Sequence, residues 1–102
     1  MSKESQNKKT ANLYRAILDL KTVGEAQRFF RDLLTPEEIV EFTRRWEAAQ
    51  LLNAGCTYAT IVKQTGLSSR TVARISKWLC RGCGGYKLIL SRQHHQVRRP
   101  SG

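Results

Sequence analysis

After Glu47 the sequence contains no aspartate and no glutamate. Residues 48–102 nevertheless hold nine basic side chains: Lys63, Arg70, Arg74, Lys77, Arg81, Lys87, Arg92, Arg98 and Arg99. Residues 1–47 carry nine basic and eight acidic groups and nearly balance. Half a chain bearing one sign of charge repels itself when compact, and its natural partner is a polyanion. Long apolar runs are missing as well. Nothing approaches the roughly 20 apolar residues that a membrane-crossing helix needs, and the opening MSKESQNKKT has no apolar centre of the kind a secretory leader requires. No long amphipathic helix carries the positive charge, which favours nucleic acid over a membrane surface. The expectation is a cytoplasmic, nucleoid-associated protein without a membrane partner, its three cysteines reduced.

Catalytic machinery is also absent. All eight carboxylates fall within residues 1–47, most at positions that suit helix starts or exposed faces, and neither His94 nor His95 has an orienting acid nearby in sequence. Gly82, Gly84 and Gly85 lack the strand-then-helix context of a phosphate-binding loop. No enzyme activity and no cofactor are expected. Cys80-x-x-Cys83, with His94-His95 downstream, has part of a metal-ligand pattern, but zinc needs four converging ligands and this spacing is not a standard one. Surface thiols, not a metal site, are expected there, and half-buried packing is expected at Cys56. The chain shows no internal repeat.

What is present is an ordinary globular composition, 40% hydrophobic and 25% charged over 102 residues, enough for one small domain with a single core. Residues 1–9 read as a flexible polar N-terminus, 10–90 as the folded domain and 91–102 as a basic flexible tail. A first helix is expected from Ala11 to Leu20, with Leu13, Ile17 and Leu20 on one face. A second follows Thr22 and Glu25, which have capping-box spacing, and takes in Phe29, Phe30, Leu33 and Leu34. The clearest start signal is Leu34-Thr35-Pro36-Glu37-Glu38: Thr35 caps, Pro36 suits the first helical position, and Glu38 completes the box. That helix should reach Ala54, with Gly55 in a left-handed cap. Ile39, Phe42, Trp46 and Ala49 share one face, with Val40 and Leu51 off it, which suggests several packing neighbours, a second subunit among them. Two short helices are expected at Tyr58–Thr65 and Ser69–Leu79. The run Tyr86–Leu90 fits either a short strand or a turn of helix.

The stretch KQTGLSSRTVARI, residues 63–75, carries the functional signal. Counted from Tyr58, the turn glycine of a helix-turn-helix falls ninth, at Gly66, where a left-handed backbone penalises any Cβ. Ile61, Leu67, Val72 and Ile75 are apolar where two such helices must meet. Thr57 and Ser68 stand at the two cap positions, and Val62 is larger than the residue usual at its place. Any glycine-closed helix pair could produce much of this pattern. The second helix argues further: with Val72, Ile75 and Leu79 inward, Ser69, Arg70, Thr71, Arg74 and Lys77 cover its remaining surface, and these residue types suit phosphates and guanine edges. Ser69, Arg70, Thr71 and Arg74 are the expected base-reading residues, and Tyr58, Lys63, Ser68 and Lys77 the expected phosphate contacts.

The stretch from Leu34 to Leu79, LTPEEIVEFTRRWEAAQLLNAGCTYATIVKQTGLSSRTVARISKWL, resembles the core of the Trp repressor superfamily, and the following GGYKLIL is similar to its smaller YerC/YecD type. The resemblance covers about residues 34–90. It implies an all-α, Trp-repressor-like helix bundle that forms an interlocked homodimer, acting as a transcriptional repressor with two reading helices set about one DNA turn (~34 Å) apart on a palindromic duplex site. In the Trp repressor, tryptophan sits between two arginines and near a threonine; the matching positions, Arg45, Arg74 and Thr35, are retained. Ile75 and Trp78 replace small residues of the repressor. The added bulk points to an altered pocket in which free tryptophan does not control DNA binding; the alternative for the two arginines is that both simply face phosphates. Any effector is unknown from the sequence. Two rival functions stay open: an RNA-binding or interaction module, and an architectural or replication-associated DNA-binding protein.

Overall fold

The computed structural model describes residues 3–97, with side chains described through Gln93. Six helices and no strand occur among the described residues: α1 (Lys3–Leu18), α2 (Val23–Leu33), α3 (Pro36–Asn53), α4 (Tyr58–Thr65), α5 (Ser69–Arg81) and α6 (Gly85–Val97). The chain divides into two compact units, one ending at Ile39 and the other beginning at Val40, so that the division falls within α3.

In the first unit, helix α1 begins at Lys3, well before the Ala11 start expected from the apolar stripe. Residues 3–10 contain neither glycine nor proline, so nothing breaks the helix even though this segment contributes no apolar face. Thr22 caps α2 by accepting the Glu25 N–H at 3.0 Å, and the Glu25 carboxylate reaches back to the Lys21 N–H at 2.9 Å. Thr35 and Glu38 form the full reciprocal box at the start of α3, at 3.1 and 2.9 Å. Neither α1 nor α2 has a buried residue; Leu18 and Val23 are 82% and 77% exposed, and Phe29 meets Phe30 edge to face at 5.5 Å.

The second unit holds the core. Ala48 and Ala49 of α3, Ile61 of α4, and Val72 and Ile75 of α5 are wholly buried, with Leu67 of the connecting turn almost so. Trp46, Leu51, Leu52, Cys56, Val62 and Tyr86 pack around them. The two alanines expose no side chain to solvent, so the core elements close directly on the body of α3. On the apolar face expected along α3, Ile39 and Trp46 are half-buried and Ala49 is wholly buried, while Phe42 stays about half exposed. That helix ends as expected: Gly55 takes φ +87°, and the Gly55 and Cys56 N–H groups bond the Leu52 and Leu51 carbonyls at 3.0 Å.

Helix α5 continues to Arg81, where the Gly82 N–H closes on the Trp78 carbonyl at 2.8 Å. A Cβ on Gly82 would lie 2.3 Å from that same oxygen, so the corner between α5 and α6 admits no side chain there. Beyond it, α6 settles the ambiguous run Tyr86–Leu90 as helix and extends through residues assigned to the tail. Tyr86 is half-buried and Leu90 buried. Their four-residue separation is a helical repeat that a five-residue apolar run cannot display by composition. Arg98 and Arg99, and the side chains of His94 and His95, lie outside the described residues.

Candidate nucleic-acid interface

The α4–turn–α5 unit is built by hydroxyls as much as by apolar packing. Thr57 caps α4 by accepting the Thr60 N–H at 3.2 Å. Gly66 ends α4 at φ +76°, ψ 4°, donating its N–H to the Val62 carbonyl at 2.9 Å. Ser68 opens α5 by accepting the Thr71 N–H at 3.1 Å and donating to the Thr71 hydroxyl at 3.0 Å. Between them lies Thr65, a buried hydroxyl that sequence reasoning did not single out. Its Oγ1 donates to the Ile61 carbonyl at 2.7 Å and accepts the Leu67 N–H at 3.2 Å, so one side chain satisfies polar groups on both sides of the turn. A threonine just before the turn glycine was the available signal, since a hydroxyl is the one small side chain that both donates and accepts.

With Val72 and Ile75 buried and Leu79 half-buried, α5 turns its opposite face outward. Arg70, Ala73, Arg74 and Lys77 follow at i, i+3, i+4 and i+7, and all four are exposed, as is Ser69 at the first position. Alanine between the arginines keeps this stripe low. Thr71 is half-buried and engaged with Ser68, so its hydroxyl serves the cap. Tyr58 and Lys63 are exposed on α4, and Ser68 is exposed at its cap. No acidic residue occurs anywhere in α4, the turn, α5 or α6.

The residues matched to the tryptophan pocket are disposed differently. Arg45 is paired with Glu41 one turn back, Nε to Oε2 3.1 Å. Arg74 is exposed on the basic stripe of α5, Thr35 is occupied in the cap of α3, and Ile75 is a core residue with no exposed surface. Trp78 is 42% exposed and borders an open, apolar cleft of about 720 Å³ with Trp46, Tyr86 and Ile89. Of the lining residues, Trp46 and Tyr86 stack with ring centroids 6.3 Å apart and 20° between their planes. Cys56 packs on the core as expected, and Cys80 and Cys83 are exposed free thiols. No cluster of three or more metal-ligating side chains occurs among the described residues.

A glycine-closed helix pair on a three-helix core, with a basic stripe on its second helix, defines a helix-turn-helix domain. The comparisons agree. The family model of the Trp repressor protein matches residues 8–94, and the chain belongs to that family. It is 38% identical over 87 residues to the uncharacterized protein YerC of Bacillus subtilis, covering 85% of this chain and 84% of that one. A TrpR-like protein from Eubacterium eligens superposes with a TM-score of 0.82 at 36% identity, over 85% of this chain and 90% of the other. A provisionally assigned Trp repressor from Staphylococcus aureus gives 0.82 at 32%, over 92% and 96%. The fold is that of a helical DNA-binding regulator, a regulatory fold and not an enzymatic one. No described helix is long and apolar enough to cross a membrane.

Proposed function

We propose that this chain is a homodimeric transcriptional repressor that reads a palindromic duplex site by inserting α5 into the major groove. The observation that carries the reading is the exposed stripe Arg70–Ala73–Arg74–Lys77 on a helix whose other face is locked into the core. Ser69, Arg70 and Arg74 read base edges, with Thr71 at the start of the same surface; arginine forks match guanine and small hydroxyls suit several partners. Tyr58, Lys63, Ser68 and Lys77 hold phosphates and set the register. Dimerisation is supported by the first unit, where apolar Leu13, Tyr14, Leu18 and Val23 are exposed although α1 and α2 are well-formed helices.

Tryptophan is not the effector in this reading. Arg45 is ion-paired with Glu41, and Ile75 is spent on the core. A calorimetric titration with free tryptophan is expected to give no saturable heat, and micromolar binding would end this part of the proposal.

The test of the whole is selection of random duplex DNA by the purified protein at about 150 mM salt, where non-specific binding is weak. A recovered palindrome with half-sites one helical turn apart is the expected result. Enrichment of no sequence, or preference for duplex RNA at equal salt, would overturn the repressor assignment in favour of an architectural or RNA-binding role.

A further inference from the structure

Arg44 belongs to α3, outside the helix-turn-helix in sequence, yet its guanidinium lies over the turn of that motif. A Cβ placed on Gly66 would be 3.8 Å from Arg44 Cζ and 3.9 Å from Nη1, so the guanidinium occupies the space beside the turn that a side chain there would meet. The side chain is exposed and has no hydrogen-bond or ion-pair partner among the described residues. Its neighbour Arg45 is bound to Glu41. Two consecutive arginines are thus divided into one that is ion-paired and one without a partner among the described residues. Glu41, three residues before Arg44, is already committed; Glu47, three residues after it, is the last acid in the chain.

From these facts we infer that Arg44 is a DNA-phosphate clamp, contributed by α3 to the edge of the reading unit. This rests on the DNA-binding function proposed above. A free guanidinium is a rigid fork of donors that grips phosphate oxygens in pairs, and Arg44 holds one beside the turn from which α5 enters the groove. It stands off the exposed stripe of α5, so it contacts backbone and not base edges. Its anchorage is firm: Ala48, one helical turn on, is wholly buried in the core that also fixes Val72 and Ile75 of α5. The clamp and the reading helix therefore move as parts of one packed body, and gripping a phosphate at the turn sets the depth and tilt of α5.

The experiment compares the wild-type chain with Arg44→Ala, Arg44→Gln and Arg44→Lys on random-sequence duplex DNA between about 50 and 200 mM salt. Losing one phosphate contact lowers the slope of log affinity against log salt by about 0.9 per engaged arginine. Arg44→Ala and Arg44→Gln are expected to show that loss, equally on every sequence, with thermal midpoints unchanged. Arg44→Lys is expected to keep the slope, since the charge remains. A wild-type slope in both the Ala and Gln variants overturns the clamp while leaving the DNA-binding function intact. A wild-type protein that binds no duplex DNA removes both together. A residue that merely covers the turn would move the melting temperature and leave the slope alone.

Discussion

Thr65 shows how much of the reading unit depends on one side chain. Its hydroxyl bridges the last turn of α4 and the Leu67 N–H from a site only 5% exposed. Replacing it with valine keeps the shape but leaves the Leu67 N–H buried without an acceptor, and a loss of about 1–3 kcal/mol is expected in urea unfolding. Thr65→Ser restores the hydroxyl and should recover most of that loss. Gly66 sits beside it at φ +76°, where an L side chain crowds the following carbonyl. Gly66→Ala is expected to cost about 1–2 kcal/mol by the same measurement. The requirement at Gly66 was legible, because a glycine between two capped helical runs marks the point where the backbone turns left-handed. The role of Thr65 was signalled only by its place before that glycine, since burial of a hydroxyl depends on what closes over it.

Element boundaries followed the cap chemistry closely where caps exist. Thr35, Thr57 and Ser68 all accept the N–H three residues on, as their positions in the sequence imply. Ser68→Ala should therefore destabilise the protein by about 1 kcal/mol, read from its denaturant midpoint, and weaken DNA binding through a looser start to α5. Where no cap marks an end, the sequence placed it late or not at all: α1 starts at Lys3, not Ala11, and α6, left open between strand and helix, reaches Val97. Both extensions are polar, and polar helix leaves no periodic trace. On α5 itself, Arg70→Ala is expected to cost about 1–3 kcal/mol on the selected site and to relax specificity at one base position. Lys63→Ala should weaken all sequences alike. Equal loss on selected and random DNA for Arg70→Ala would reassign that arginine to the phosphates.

For the molecule as a whole, charge and uncovered apolar surface point to two partners. An acid-free half predicts affinity that falls steeply with salt, and helices α1 and α2 without buried residues predict a second subunit. If the dimer forms through those helices, the thermal midpoint rises with protein concentration. Sedimentation should give twice the chain mass of 11.7 kDa, and Leu18→Glu should reduce it toward one. A midpoint independent of concentration, together with a monomer mass, would count against the dimer.

The sequence by itself determined the helical class, the cap positions, the turn glycine and the sign of the charge that the second half of the chain carries. Each depends on local spacing or on summed charge, and neither changes when the chain folds. Only the tertiary structure decided which of two adjacent arginines is free. Arg44 and Arg45 are the same residue type on the same helix, but a rotation of about 100° between consecutive residues turns one onto Glu41 and the other over Gly66. It also decided that Trp46, Trp78 and Tyr86 meet around one cleft. The Arg45–Glu41 pair is local, one turn apart on α3, but the seating of Arg44 by Gly66 and the cleft join residues of different elements, brought together by the packing of α3, α4, α5 and α6, which no local pattern records.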